Sequence, residues 1–319
     1  MSALEQIGLA ALRQIDPERA HGLALKALRA GLAPMPGVVT SHRLRTQVAG
    51  LDLPNPIGLA AGFDKNAALV PFWASLGLGF AEVGSVTARP SVGNPTPRAF
   101  RLPADRALVN RMGLNNEGAG AVAARLASTP RPPGFVLGVN VAKTHDPALL
   151  GDAGIEDFRQ SVRALASHAD YLALNVSCPN TAEGKTFETP DALDALLSAV
   201  AEEMGTGRWE TGSGPKPPPE RSEPPPLLVK LSPPETTDID TGLVNELVQI
   251  CLGHGVEGFI ATNTASDRAG LVTEAGRLEA IGRGGLSGRP LADRALALTR
   301  HLYRTTDGAV PIIGVGGID

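Results

Sequence analysis

The chain has 319 residues with 29 basic and 33 acidic side chains, a net charge of −4 and 43% hydrophobic residues. This length suits one large barrel domain or two ordinary domains with a buried core. The balanced charge, without Lys and Arg runs interleaved with aromatics, excludes a typical nucleic-acid-binding protein. Cys178 and Cys251 stand in unrelated contexts, so they fit a reducing compartment better than a disulfide framework.

Residues 1–38 are predicted to form a pair of helices, over Ala3 to Ile15 and Pro17 to Ala30. Asp16 is the expected N-cap of the second helix. Each helix has an apolar side, so the pair either packs on the domain or dips into a membrane surface, and the sequence leaves both open. No stretch reaches the ~20 apolar residues of a transmembrane helix, so any membrane contact is expected to be peripheral.

Residues 39–319 are predicted to form one domain, in which short apolar runs alternate with helical patterns from Pro56 onward. This alternation predicts βα units and a parallel sheet. The seven predicted strands are Ile57–Ala61, Phe80–Ser85, Phe135–Val141, Tyr171–Val176, Leu227–Leu231, Gly258–Thr262 and Pro311–Val315. The helices between them are predicted at Asn66–Leu76, Asn116–Ala127, Ile155–Ala166, Pro190–Met204, Asp240–Gly253 and Leu291–Tyr303.

Polar or glycine-rich residues follow nearly every predicted strand at its carboxyl end, including Ser85, Asn140, Asn175, Lys230 and Asn263. Barrel active sites are assembled at that face from many strand ends, whereas an open sheet concentrates such residues at one switch point. We therefore predict a (β/α)8 barrel of the TIM type with an N-terminal helical extension.

The seventh predicted strand ends close to Asp319, so we expect the eighth βα unit to be absent from this chain. Roughly forty further residues would complete such a barrel. Insertions are predicted at Arg89–Arg111 and Gly205–Pro226. The second of these, residues 205–226, is so rich in Gly and Pro that we expect a solvated, disordered loop.

The segment from Asn175 to Asn180 carries the strongest local signal for chemistry. Its two amides, which donate and accept hydrogen bonds, flank the thiol of Cys178, so a polar planar ligand could be held while the thiol exchanges a proton. Taken alone, the pattern is better explained by a small buried cysteine before a turn proline. For Lys230, in contrast, a functional role is favoured by the sequence alone, because a single charged residue stands in a strand that is otherwise apolar.

This segment resembles the catalytic loop Asn-x-Ser-(Ser/Cys)-Pro-Asn of dihydroorotate dehydrogenases. Other stretches similar to the same family follow in the family's order: Gly58–Asn66, Val83–Thr87, Gly93–Pro95, Phe100–Pro103, Asn110–Gly113, Ala261–Thr264, Gly284–Leu291 and Ile313–Gly317. The chain is identified as similar to the quinone-linked, membrane-associated class 2 of that family.

The resemblance implies an FMN enzyme that oxidises dihydroorotate to orotate in pyrimidine biosynthesis. FMN contacts are implied for Ala61, Gly62, Lys65, Ser85, Asn140, Asn175, Lys230, Thr262, Gly288 and Gly317. Substrate contacts are implied for Lys65, Asn110, Arg111, Met112, Gly113, Leu114, Asn175, Asn180, Asn263 and Thr264. No metal is implied.

The same resemblance implies Cys178 as the base that removes the C5 proton while hydride leaves C6 for the flavin. Lys65 would polarise the C4 carbonyl, and Lys230 would stabilise negative charge on the reduced ring. A membrane quinone would enter between the N-terminal helices and pass His21 and Arg101. Without the resemblance, His21 would be interpreted as an exposed helix histidine and Arg101 as a surface arginine. The implied location is peripheral, on the cytoplasmic side of a bacterial inner membrane.

Four departures from the family's pattern are visible. Quinone-linked members usually have serine in place of Cys178, and cysteine is typical of the soluble class that uses fumarate or NAD. The segment from Ala182 to Phe187 differs from the usual Pro-Gly-Leu-Arg lid, and Leu114 replaces a common aromatic residue. The fourth departure is the missing eighth unit, which leads us to expect weak or no FMN binding by these residues alone. The alternatives are therefore a soluble-class dihydroorotate dehydrogenase and a non-catalytic truncated remnant.

Overall fold

A computed structural model of the chain describes residues 3–32, 35, 37, 39–177, 187–205 and 224–316. Its helices are α1 (Ala3–Gln14), α2 (Pro17–Arg29), α3 (Val70–Ser75), α4 (Ala119–Ser128), α5 (Asp152–Leu165), α6 (Pro190–Gly205), α7 (Thr241–Gly253), α8 (Ala275–Ile281) and α9 (Ala292–Thr305). Its strands are β1 (Thr46–Val48), β2 (Leu51–Leu53), β3 (Gly58–Leu59), β4 (Phe80–Val86), β5 (Ala99–Leu102), β6 (Ala107–Asn110), β7 (Val136–Val141), β8 (Tyr171–Asn175), β9 (Leu227–Leu231), β10 (Gly258–Ala261), β11 (Gly285–Gly288) and β12 (Ile312–Gly314).

Seven strands form one parallel sheet in the order β12-β10-β9-β8-β7-β4-β3. These are the seven strands that the sequence predicts, each shifted by at most two residues at either end, so the parallel sheet is confirmed. Within the described ranges the sheet remains open between β3 and β12. Connecting helices cover its outer face, as in a barrel of the TIM type.

Side chains alternate between the two faces of this sheet. Inward-facing Phe80, Val136, Tyr171, Leu228 and Ile260 form a cluster inside the barrel with Leu53 of the β1–β2 hairpin. The intervening strand residues belong to a larger cluster beneath the helices. Because side chains change face at every residue, the polar residues at the strand ends share the interior with the first cluster.

The two predicted N-terminal helices are present. The Asp16 carboxylate accepts hydrogen bonds from the backbone amides of Glu18 and Arg19, each at 3.0 Å, which confirms the predicted cap. Ala20 is buried, and Leu25 and Leu28 pack against the larger core cluster, so α2 docks on the barrel. Within the described part of the chain, no helix is long and apolar enough to cross a bilayer.

One predicted helix is wrong, and one predicted insertion has structure of its own. The predicted helix Asn66–Leu76 shortens to α3, because Ala67 has a left-handed φ of 54° and the Asp64 carboxylate accepts the amides of Ala68 and Leu69. The predicted insertion Arg89–Arg111 contains β5 and β6, which form a small antiparallel sheet with β11. Of the loop predicted at residues 205–226, residues 206–223 lie outside the described part.

Candidate active site

A cavity of about 1100 Å³ opens at the carboxyl ends of the parallel strands, between the barrel, the small sheet and helix α2. It brings together most of the residues that the resemblance singled out. Its lining includes Ala61, Gly62, Lys65, Ser85, Asn110, Met112, Leu114, Asn175, Lys230, Thr262, Asn263, Thr264 and Gly288, together with His21 and Arg101.

Three other predicted residues lie behind the lining. Arg111 donates hydrogen bonds to the carbonyls of Ile281 and Pro97 and stacks over the ring of Phe100 at 4.8 Å. Gly113 has a φ of 70°, and a Cβ there would lie 2.6 Å from the amide nitrogen of Asn94. Both residues therefore shape the segment that carries Asn110, Met112 and Leu114.

Asn140 is the third such residue and is fully buried on β7, where it accepts a hydrogen bond from the hydroxyl of Ser85. Cys178, Asn180 and Gly317 lie outside the described residues. The structure therefore gives no position for the predicted base.

Polar side chains on neighbouring strand ends form a connected layer at the floor of the cavity. Asn175 Nδ2 donates to Ser85 Oγ at 3.2 Å, and Asn263 Nδ2 donates to Asn175 Oδ1 at 2.9 Å. Lys230 pairs in register with Asn175 across β8 and β9, and only 6% of its surface is exposed. Amides and an amine thus face the cavity from an apolar sheet, which suits a polar planar ligand.

Lys65 stands in the loop after β3, where its Nζ donates to the carbonyl of Gly62 at 2.6 Å. Burial, helped by the positive charge of Arg98, lowers the pKa of the Lys65 amine from 10.5 to about 8. The preceding Asp64 is held by the indole Nε1 of Trp73 at 2.9 Å as well as by backbone amides. The amine is therefore held on a hydrogen-bonded turn, and its pKa of about 8 lies well below that of an ordinary lysine.

Helix α2 closes one side of the cavity. Its Glu18 receives hydrogen bonds from Arg98 on both carboxylate oxygens, with the shortest at 2.7 Å. Arg98 also donates to the carbonyls of Val92 and Asn94, so the ion pair ties the helix to the loop before β5. Only 11% of the Arg98 side chain is exposed, which makes this contact stronger than an ordinary surface pair.

The two residues predicted for acceptor access occupy the same side. His21 Nε2 donates to the carbonyl of Phe63 at 2.9 Å, and burial lowers the pKa of the imidazole, with a further contribution from the charge of Lys65. Arg101 donates to the carbonyls of Ile15 at 2.6 Å and Leu12 at 3.2 Å, at the end of helix α1. Both residues thus join the helical pair to the mouth of the cavity.

Several lining residues were not predicted. They include Glu18, Phe63, Ala99, Arg106, Leu108, Ser287, Arg289, Leu291 and Leu296. Phe63 and Ser287 lie within stretches that resemble the family, Gly58–Asn66 and Gly284–Leu291, so the sequence could have predicted them. Leu108 lies on β6, and Arg106 directly precedes that strand. The strand β11 that pairs with β6 comes far later in the chain, so the pairing is visible only in the fold.

Comparison with known proteins agrees with this geometry. A sequence profile described as dihydroorotate dehydrogenase matches residues 43–319. The chain is 46% identical over 311 residues to the dihydroorotate dehydrogenase (quinone) of Salinispora arenicola (strain CNS-205), which covers 95% of this chain and 83% of that protein. It is 42% identical over 322 residues to the protein of the same description from Cereibacter sphaeroides (strain KD131 / KCTC 12085), which covers 100% of this chain and 82% of that protein.

Solved structures show the same relationship. The crystal structure of ligand-free type DHODH from Eimeria tenella matches with a TM-score of 0.81 and 34% identity, over 95% of this chain and 83% of that one. The structure of DHODH in complex with ferulenol from the same organism also has a TM-score of 0.81, with 33% identity over 95% of this chain and 81% of that one. With its sequence and its barrel strands in agreement with these relatives, this chain belongs to the dihydroorotate dehydrogenase family.

Proposed function

We propose that this protein oxidises dihydroorotate to orotate with FMN as cofactor and a quinone as electron acceptor. The observation that carries the proposal is the meeting, in one cavity, of the amine of Lys65 with the amides of Asn110, Asn175 and Asn263. Dihydroorotate presents ring carbonyls, ring N–H groups and a carboxylate, and this set can pair with all of them.

The residues at the strand ends fit a flavin nucleotide. A Cβ on Gly62 or Gly316 would meet no described atom within 4 Å, and both glycines line the cavity, so space is left where a ligand can approach the backbone. We propose that Ala61, Ser85, Asn140, Thr262, Gly288 and Gly317 join them in holding the cofactor. Bound FMN would supply the two-electron acceptor, and the buried Lys230 would stabilise negative charge on it.

The substrate would lie over the amides of the cavity floor. The buried hydroxyl of Thr264 has no hydrogen-bond partner within the described residues, so it is available to a ligand. Lys65 would bind and polarise a substrate oxygen, while Asn110, Asn175, Asn180 and Asn263 would orient the ring. Arg111, Met112, Gly113 and Leu114 are proposed to shape the same site.

Cys178 is the proposed base for the C5 proton. An ordinary thiol titrates near ~8.5, far below a serine hydroxyl. Single-turnover orotate formation should therefore reach its plateau at lower pH in the native protein than in Cys178→Ser. Identical pH profiles for the two proteins would remove Cys178 from this role.

The N-terminal helical pair, residues 1–38, is the proposed access route for the quinone. Large apolar side chains around these helices are exposed to solvent, with exposed fractions of 51% for Leu23, 77% for Leu32 and 52% for Met35. An apolar surface of this kind suits peripheral contact with a membrane, here proposed as the cytoplasmic side of a bacterial inner membrane. His21 and Arg101 would then lie on the path between that surface and the cavity.

The sequence leaves open a soluble-class enzyme that uses fumarate or NAD, because of Cys178, but the relatives described as dihydroorotate dehydrogenase (quinone) do not favour it. An acceptor screen on the full-length protein decides between the two classes, with orotate formation followed in the presence of a soluble quinone, fumarate or NAD. Turnover that requires the quinone supports the proposal. Turnover with fumarate or NAD but not with the quinone would move the protein to the soluble class.

A further inference from the structure

Helix α2 presents a carboxylate to the cavity wall that carries Lys65. Glu18 and His21 line the cavity together with Lys65, and their spacing along α2 places them on the same face of the helix. His21 contacts Phe63, in the loop that leads to Lys65, through a hydrogen bond of 2.9 Å and an edge-to-face ring contact of 4.7 Å. The face of α2 that carries Glu18 is therefore docked on the loop that carries Lys65.

The partner of this carboxylate is a cation that the barrel holds in place without the helix. Arg98 donates to both oxygens of Glu18 through Nε and Nη2, with the shortest distance at 2.7 Å. Its Nη1 donates to the carbonyls of Val92 at 2.7 Å and Asn94 at 2.9 Å. Asn94 is in turn paired with the substrate-side segment, because its backbone amide donates to the carbonyl of Met112 at 3.1 Å. The guanidinium would therefore keep its place if the Glu18 carboxylate were removed.

The charges near Lys65 act on it in opposite directions. Next to burial, the positive charge of Arg98 lowers the pKa of the Lys65 amine, which comes to about 8. The carboxylates of Glu18 and Asp64 oppose this effect and raise the pKa. Asp64 belongs to the turn of Lys65 itself, whereas Glu18 comes from α2. Docking of the helix therefore supplies a negative charge that offsets Arg98.

Other charged or titratable side chains line the same cavity. In the described part of the chain they include His21, Arg101, Arg106, Lys230, Arg289 and Asp293. Burial lowers the pKa of His21, so its imidazole is uncharged in the range in which Lys65 titrates. The pKa of Lys65 responds to Arg98, Glu18 and Asp64 rather than to these further groups.

We propose that Glu18 is a positioning residue that offsets the charge of Arg98, so that helix α2, when docked, keeps Lys65 available to bind an anion. Loss of the carboxylate would leave the fixed guanidinium uncompensated and make the ammonium form of Lys65 less stable. The helical pair proposed for quinone access would thus also determine how tightly the substrate side binds. That the anion is the substrate carboxylate rests on the proposed function, whereas the effect of Glu18 on Lys65 does not.

The test follows the protonation of Lys65 in the full-length protein saturated with FMN. Acetic anhydride reacts with the neutral amine and not with the ammonium ion, so acetylation of Lys65 against pH, read by peptide mass spectrometry, gives its titration midpoint. Lys26, exposed on the same helix, serves as the internal reference for the reagent. In Glu18→Gln the midpoint should move roughly one pH unit lower, because only the Arg98 charge remains.

The opposite change should have the opposite effect. In Arg98→Gln the Glu18 carboxylate is left without its partner, so the midpoint should move to higher pH. The double variant Glu18→Gln/Arg98→Gln lacks both charges, and its midpoint should lie between those of the single variants. Glu246→Gln is the matched control, because it makes the same change at an exposed position of α7 and should leave the midpoint unchanged.

General loosening of helix α2 gives a different pattern. Water would then reach Lys65 and move every midpoint towards that of an ordinary lysine, at higher pH. An unchanged or raised midpoint in Glu18→Gln would therefore overturn the proposal. If Glu18→Gln does not fold, the step from Arg98→Gln to the double variant removes the same carboxylate and should lower the midpoint. An equal or higher midpoint in the double variant would then overturn the proposal.

Orotate affinity tests the consequence for the ligand. A midpoint one unit lower reduces the ammonium fraction of Lys65 at about pH 8 from about one half to about one tenth. Equilibrium binding of orotate to Glu18→Gln should therefore weaken roughly five-fold at about pH 8 and change little at about pH 6. Native affinity at about pH 8 beside a lowered midpoint would overturn the proposed effect on the ligand. A native protein that binds FMN but neither dihydroorotate nor orotate would refute the proposed function, and acetylation of Lys65 would still decide whether Glu18 acts on it.

Discussion

The imidazole of His21, on helix α2, donates a hydrogen bond of 2.9 Å to the carbonyl oxygen of Phe63, in the loop that follows β3. The two rings also pack edge to face, with 4.7 Å between their centres. Because the same loop continues into Lys65, one contact connects the N-terminal helical pair with the proposed substrate site.

His21→Ala is expected to affect the reaction with the acceptor selectively. It removes a side chain at the proposed quinone path but none of the groups on the cavity floor. We expect kcat/KM for a soluble quinone to fall roughly ten-fold, while the rate of orotate formation in a single turnover changes little. Steady-state and stopped-flow kinetics measure the two effects.

His42→Ala provides the control, since His42 is exposed in the segment before β1. It should leave both half-reactions unchanged. A single-turnover rate that falls as much as kcat/KM for quinone in His21→Ala would contradict the separate roles of helix α2 and the cavity floor.

Orotate binding should weaken as pH rises through about 8, the pKa of Lys65. The orotate carboxylate is attracted to the ammonium form, which is lost above that pH, so Kd should increase roughly ten-fold per pH unit there. Equilibrium binding is preferable to turnover because Cys178 would titrate in the same range. Lys65→Gln should bind weakly at all pH values, whereas Lys26→Gln, on the exposed side of α2, should keep the native pH dependence.

The lowered pKa of Lys65 also makes the stability of the fold depend on pH. The pKa of Lys65 falls from 10.5 in the unfolded chain to about 8 in the fold, so the unfolded state binds more protons between these values. The free energy of unfolding should therefore gain a favourable contribution from Lys65 as pH rises from about 8 towards 10.5. The free energy of unfolding, measured with denaturant, should rise for the native protein relative to Lys65→Gln over this pH range. Parallel pH curves for the two proteins would contradict the lowered pKa of Lys65.

Gly138→Ala should destabilise the barrel interior. Its Cβ would overlap the Tyr171 ring, and relief of such overpacking costs about 1–3 kcal/mol. Gly120→Ala is the matched control, because its Cβ meets no described atom within 4 Å and it lies on helix α4. That change should stabilise by at most about 1 kcal/mol. Chemical denaturation of both variants tests the prediction, which fails if Gly138→Ala is as stable as the native protein.

The parallel strands and most of the cavity residues could be predicted because their signals are local. The apolar run of β8, for example, ends at Asn175, and that boundary marks both the strand and the site. The small sheet could not be predicted in this way. Its β5 and β6 are short and half-buried, and β11, which pairs with β6, comes far later in the chain.

Glu82 illustrates a signal that was present but unused. It is a lone acidic residue in the buried strand β4, as Lys230 is a lone basic residue in β9. The reasoning that singled out Lys230 applies equally to Glu82. Its partners Tyr171 and Asn140 come from two other strands, however, so only the fold shows that its carboxyl group lies beneath the proposed site.

This cavity is proposed to bind a flavin that carries electrons from dihydroorotate to a quinone. The most direct test is the visible spectrum of the full-length protein, saturated with FMN, before and after anaerobic addition of dihydroorotate and then of a soluble quinone. We predict that dihydroorotate bleaches the flavin band and that the quinone restores it. A bound flavin that dihydroorotate leaves unbleached would contradict the account.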